Sequence, residues 1–228
     1  MVNRKVLYAG IVLVLAFVAL FLLVNYKISH GFDVSLFNLI NKSLNVPFLD
    51  SFFSFVAVYG REYFWIPIVV LMWVLGGAFN NKEAKKGALM LVIVFLLIII
   101  IGLALKTVYY RPRPFLSLSN VLVFVPKDLD SSFPSGHALI VAGGAAIAAF
   151  FLKKRYSLPL IAEAILVSYS RIYVGVHYPT DVLAGVFLGV GIAFIAYTIL
   201  EDNKYFNRLF VFVDDIYVKI LRIARFVH

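Results

Sequence analysis

Three short polar clusters interrupt a chain that is otherwise 63% hydrophobic and only 14% charged. Lys106 and Arg113 lie in the first, Ser135, Gly136 and His137 in the second, and Ser170, Arg171, His177 and Asp181 in the third. Each residue has an ordinary reading when taken singly. Lys106 at the end of an apolar run can snorkel to an interface, and Arg113 can flank one. Ser135 and Asp181 suit helix caps. The set reads differently from its members, because ionisable groups near membrane depth are costly and point to function. Lys106, Arg113 and Arg171, with the free N–H groups of a helix opening at Ser135-Gly136, form a receptor for a multiply charged oxyanion. His177 and His137 add a nucleophile and an acid, and a carboxylate near an imidazole can orient it and stabilise its cation. Asp181 is the only acidic residue at these positions, so no carboxylate cluster for Mg²⁺ accompanies them. The chemistry implied is phosphoryl transfer in which protein cations replace a metal.

The elements that must hold this set are apolar. Mean hydropathy is +0.96 over 228 residues, above that of a water-soluble domain of this length, and indicates an integral membrane protein of one domain. The absence of cysteine excludes disulfides, thiol catalysis and cysteine-held metal. A net charge of +9 would suit nucleic acid, but the basic residues sit between apolar runs, as lipid-facing flanks do; no nucleic-acid partner is expected. Apolar runs at about 6–24, 63–79, 88–105, 136–152, 158–174 and 181–200 predict six transmembrane helices. The first run is followed by Asn25-Tyr26-Lys27, which offers no signal-peptidase site, so it reads as an uncleaved span. The fourth is rich in Gly and Ala, which favours close helix packing in lipid.

Between the first two runs, Phe32, Leu36, Phe37, Ile40 and Leu44 fall at helical spacing, with Ser35, Asn38, Asn41 and Lys42 opposite. This predicts a short amphipathic helix at the interface, capped by Asp33 and with Phe32 stapled onto Phe37. Residues 52–58 are apolar but too short to span. Residues 80–86 read as a polar loop, and 112–132, with its prolines, as a second. The tail 201–228 carries Phe206, Phe210, Val213, Tyr217, Ile220 and Ala224 at alternating spacings of four and three, with Arg208, Lys219, Arg222 and Arg225 among them. It reads as a helix lying on anionic lipid, or else capping the bundle. Six spans put both termini on one side, and the excess of Lys and Arg there makes that side cytoplasmic. The three polar clusters then share the extracytoplasmic face.

The pattern Lys106-x6-Arg113-Pro114, Pro134-Ser135-Gly136-His137 and Ser170-Arg171-x5-His177-x3-Asp181 resembles the signature of the type 2 phosphatidic acid phosphatase superfamily, whose members include membrane lipid phosphatases and, more distantly, vanadium haloperoxidases. All three motifs agree in residue type, spacing and order. The resemblance implies an all-α helical core and a metal-independent hydrolase with no cofactor. It implies that His177 is the nucleophile that becomes a phosphohistidine, Asp181 its hydrogen-bonded orienter and His137 the acid for the leaving oxygen. Lys106, Arg113, Ser135, the Gly136 N–H and Arg171 are implied as the phosphate cradle. Arg111, outside the fixed spacing, reads as a flank, and Ser170 is assigned no contact.

The expected substrate is a membrane lipid phosphate or diphosphate whose tail enters between helices. An outward-facing site suits a recycled carrier, so a polyprenyl diphosphate such as the undecaprenyl carrier is favoured over phosphatidylglycerophosphate or phosphatidate. The rivals are a phosphotransferase with another acceptor, an anion transporter lined by Lys106, Arg113 and Arg171, and an inactive scaffold. Against a transporter, no paired half-repeats occur and the polar residues gather at one face.

Overall fold

The computed structural model describes residues 3–43 and 46–226, with side chains up to residue 223. Leu44, Ala224, Arg225 and His228 therefore lie outside the residues or side chains described. Among the described residues ten helices run α1 (Arg4–Asn25), α2 (His30–Ser43), α3 (Pro47–Tyr59), α4 (Glu62–Ala78), α5 (Lys82–Val108), α6 (Pro114–Ser117), α7 (Gly136–Phe151), α8 (Lys154–Tyr173), α9 (Pro179–Leu200) and α10 (Lys204–Phe226). Every apolar run predicted to span is helical. By length and composition, α1, α5 and α9 can each cross a membrane. The α3–α4 pair, bent by 55° at Gly60 and Arg61, makes a fourth if it counts as one. Helix α7 is apolar but only 16 residues long, and α8 carries Arg155, Glu163 and Arg171. The chain is a multi-pass, all-helical membrane protein.

Helix α7 sits among α5, α8 and α9, and α1 lies along the far face of α9. Small residues make these approaches. A β-carbon on Gly185 would stand 2.6 Å from the Ser135 carbonyl, and one on Gly143 would stand 3.1 Å from the Gly189 carbonyl. The backbones of α7 and α9 touch where larger residues would hold them apart. This contact fixes the start of α7 against α9, and with it two of the three polar clusters.

Several local readings change. Residues 82–86 are helical, because Asn81 caps α5 by accepting from the Ala84 N–H at 3.1 Å. Helix α2 begins at His30, so Asp33 lies inside its first turn and is not its cap. Phe32 is exposed while Phe37 is fully buried, so no staple joins them. Asn41, predicted to face water, is buried. It donates to the Leu122 and Tyr173 carbonyls at 2.8 Å each and accepts from the Leu122 N–H at 3.1 Å. The side opposite the predicted apolar stripe thus meets buried backbone that must be paired.

Helix α10 lies at the other end of the bundle. Phe206 and Phe210 are buried, Trp73 packs on Phe210 and Tyr217, and Lys85 pairs with Asp214. Leu209, Phe212, Ile216, Ile220 and Ile223 stay exposed. The predicted tail helix therefore caps the bundle with one stripe and presents another outward.

Candidate active site

The three motifs converge at the ends of α5 and α8 and the starts of α7 and α9. The turn after α8 is shaped by Gly175, at φ +84°, which lies so close to the Leu122 carbonyl that a β-carbon would not fit. The N–H groups of Val176 and His177 then both donate to the Arg171 carbonyl, at 3.3 and 3.2 Å. His177 is folded back under the helix that carries Arg171. Pro179 opens α9, and Asp181 at its third position accepts from the Tyr178 N–H at 2.8 Å.

His177 is 1% exposed. Its Nδ1 lies 2.8 Å from the Ser132 carbonyl, which can only accept, so Nδ1 carries the proton and Nε2 the free lone pair. Asp181 Oδ2 stands 3.7 Å from the same nitrogen. The ring N–H expected to donate to Asp181 thus donates to the Ser132 carbonyl, and Asp181 acts as a nearby charge. Burial pushes the His177 pKa well below the ordinary histidine value, and the cations Arg113, Arg171 and Lys106 push the same way, against the Ser132 hydrogen bond. The ring is a neutral base with its tautomer set by the backbone.

Of the residues expected to form the cradle, Lys106, Arg113, Arg171 and Ser135 are found in three different states. Lys106 donates to Asp130 Oδ2 at 2.6 Å and to the Ser131 carbonyl at 2.7 Å. Arg113, 2% exposed, pairs with the other Asp130 oxygen and donates to the Val176 carbonyl at 3.2 Å. Burial by itself would raise the Asp130 pKa, but hydrogen bonds and charge from Lys106 and Arg113 hold it below the usual carboxylate value. Arg171 gives one Nη to the Ala57 carbonyl at 3.0 Å, while its Nε is buried with no partner. Ser135 is the residue before α7, as expected of a cap, yet its Oγ is buried without a partner and caps nothing. Its N–H donates to the Asp181 carbonyl at 3.0 Å.

A cavity of about 650 Å³ opens beside this set. His137 and Arg171 line it, with Arg61 and Glu62 from the start of α4. His177 is not among its lining residues. No group of three His, Cys, Asp or Glu side chains among the described residues is arranged to hold a metal ion.

The structure gives Arg111 and Arg61 places that their sequence context does not indicate. Arg111 is no flank: it is buried, with Nη1 2.9 Å from Thr180 Oγ1 and 2.5 Å from Asp181 Oδ1, and Nη2 2.7 Å from Asp33 Oδ2. Asp33 is fully buried and also accepts from the Thr180 N–H at 2.9 Å and its hydroxyl at 2.7 Å. The guanidinium stacks on the Tyr178 ring at 4.3 Å. An Asp33–Arg111–Asp181 chain thereby supports the base of α9. Arg61 lines the cavity with no sequence signal to announce it, since no motif spacing reaches it.

Residues 87–205 match the sequence model of the PAP2 superfamily. Over 194 residues the chain is 39% identical to the undecaprenyl-diphosphatase of Sulfolobus acidocaldarius, covering 85% of this chain and 91% of that one. It is 32% identical over 166 residues to undecaprenyl-diphosphatase BcrC of Bacillus subtilis, covering 72% and 81%. The crystal structure of a transmembrane PAP2-type phosphatidylglycerolphosphate phosphatase from Bacillus subtilis superposes with a TM-score of 0.73 at 27% identity, over 86% of this chain and 98% of that one.

Proposed function

Because this chain belongs to the PAP2 superfamily, we propose that it is a membrane lipid phosphatase that hydrolyses a polyprenyl diphosphate to the monophosphate. The observation that carries this reading is a pair of buried donors with no partner, Ser135 Oγ and Arg171 Nε, in the midst of two histidines and further cations. Buried polar groups are normally paired, so donors left open mark the place of an absent acceptor. A phosphate supplies several acceptor oxygens at once.

In this reading the Nε2 lone pair of His177 attacks the terminal phosphorus. The bond from phosphorus to the bridging oxygen breaks, and His137 protonates that oxygen, releasing the lipid monophosphate. Water then attacks the phosphohistidine, with His137 taking its proton, and orthophosphate leaves. The charge of the incoming diphosphate favours the His137 imidazolium that the first step needs. Lys106, Arg113, Arg171, Ser135 and the Gly136 N–H hold the equatorial oxygens, and substrate displaces Asp130 from the first two. Positioning and electrostatics of this kind carry most of phosphoryl-transfer catalysis.

We read α1, α4, α5, α7, α8 and α9 as six spans forming a single membrane domain. The Lys and Arg excess at the end holding α10 makes that end cytoplasmic and the site extracytoplasmic. The phosphatidylglycerolphosphate phosphatase among the structural neighbours supports a second reading, a phosphatase of that glycerolipid.

The test is phosphate release by detergent-purified protein in EDTA, on undecaprenyl diphosphate, phosphatidylglycerophosphate and phosphatidate. Release from the diphosphate that survives EDTA and is lost in His177→Ala supports the proposal. Faster release from phosphatidylglycerophosphate transfers it to the second reading. No release from any lipid by folded protein rejects both.

A further inference from the structure

Arg61 stands where hydrocarbon meets the cation cluster. It precedes α4 at the α3–α4 bend, and its Nη1 lies 4.0 Å from where a β-carbon on Gly136 would stand, next to the opening turn of α7. It lines the cavity it shares with His137 and Arg171. It also lines a second, apolar groove of about 300 Å³ that continues between α4 and α5 past Trp65, Val69, Phe95 and Ile99. Glu62 holds Nη2, while Nε is buried without a partner. Part of the guanidinium is thus committed to a neighbour, and part is open at the junction of groove and site.

We propose that Arg61 binds the phosphate that departs with the lipid, and so makes the site prefer a lipid diphosphate to a phosphomonoester. The inference rests on the reading in which His177 attacks a terminal phosphorus. In such a substrate the order is tail, inner phosphate, outer phosphate. With the outer phosphate among Ser135, Lys106, Arg113 and Arg171 and the tail in the apolar groove, the inner phosphate falls between them, at His137 and Arg61. As the bond to the outer phosphorus breaks, its electrons pass to the bridging oxygen. That charge is met by the proton from His137 and by the guanidinium of Arg61. An interaction that strengthens as the bond breaks raises turnover as well as affinity. A phosphomonoester has no second anion at that point, and Arg61 gives it nothing comparable.

The experiment compares Arg61→Ala and Arg61→Lys with wild type, as full-length protein in detergent. The substrates are a polyprenyl diphosphate and the monophosphate of the same chain, with inorganic pyrophosphate and orthophosphate as competitors. Loss of one charged hydrogen-bond donor predicts a fall in kcat/KM of about 30-fold for the diphosphate in Arg61→Ala, partly restored in Arg61→Lys. The monophosphate should change less than about threefold, and only pyrophosphate should weaken as a competitor. Equal losses on both substrates, or none on the diphosphate, overturn the proposal and leave Arg61 a structural or headgroup-facing residue. If wild type releases nothing from the diphosphate, the substrate reading fails, and the Arg61 assignment is decided by protection against melting. Pyrophosphate protection that is lost in Arg61→Ala while orthophosphate protection remains upholds a two-phosphate site, and unchanged protection rejects it.

Discussion

Two polar networks share one end of the helix bundle and differ in how completely their groups are paired. Around Arg111, both carboxylates and the Thr180 hydroxyl are joined by hydrogen bonds of 2.5 to 2.9 Å, and the guanidinium also stacks on Tyr178. Around His137 and Arg171, Ser135 Oγ, Arg171 Nε and Arg61 Nε are all buried without partners. The first network is closed and holds α2, α9 and the loop after α5 together. The second is open on the side of a cavity. Two arginines one residue apart, Arg111 and Arg113, fall on different sides of this divide, because Asp33 and Asp181 surround one and a half-exposed Asp130 meets the other. Complete pairing marks scaffold, and unpaired buried donors mark a receptor.

The largest effect should appear at the base of the open network. His177→Ala should reduce phosphate release by at least about 10³-fold while lowering melting in detergent by less than Arg111→Ala does, since it leaves only the Ser132 carbonyl unpaired and strands no charge. In the closed network the opposite pattern is expected. Arg111→Ala strands two buried carboxylates and should cost about 3–5 kcal/mol of stability, seen as a large drop in melting temperature. If Arg111→Ala melted like wild type, the division between the networks would collapse. Arg171→Ala should lower kcat/KM by roughly 10²-fold while lowering melting by less than Arg111→Ala does, because it leaves only the Ala57 carbonyl unpaired and strands no carboxylate.

The open network also predicts a pH profile. A histidine whose pKa is depressed stays neutral as pH falls through the ordinary value of about 6.5 and is lost as a base only below that. The acid limb of kcat/KM for His177 should therefore lie below pH 6.5, and a limb at or above it would contradict the buried, cation-flanked site. The same shift works against stability in acid. Below 6.5 the unfolded chain binds a proton that the folded chain refuses, so stability falls with falling pH. The smallest effect belongs to Asp130, which occupies Lys106 and Arg113 in the absence of substrate. Asp130→Asn should lower KM about threefold with kcat unchanged, the scale of a half-exposed ion pair. A raised KM would make Asp130 a positioning residue instead of a competitor.

The chemistry-bearing residues were legible because their spacing is local. Lys106 with Arg113, Ser135 with His137, and Arg171 with His177 and Asp181 each lie within one turn region, and apolar runs between them announce the helices. What local spacing cannot carry is partnership across the fold. Arg111 meets Asp33 across 78 residues and Thr180 meets it across 147, while Arg61 reaches the start of α7 from another helix. The orientation of His177 shows the same limit. Asp181, four residues on, looked the natural partner, yet the capping of α9 and the Arg111 contact engage its oxygens, and the Ser132 carbonyl takes the ring instead.

By itself, then, the order of residues determined an all-helical membrane chain, the family and the set of groups available for phosphoryl transfer, because hydrophobic length and short-range spacing are written along the chain. Only the tertiary structure decided which cations are bound up in scaffold and which remain open to a ligand. That outcome depends on which buried groups find partners when α2, α4, α7, α8 and α9 pack together, and in a nearly water-free interior each donor left over is costly enough to be meaningful.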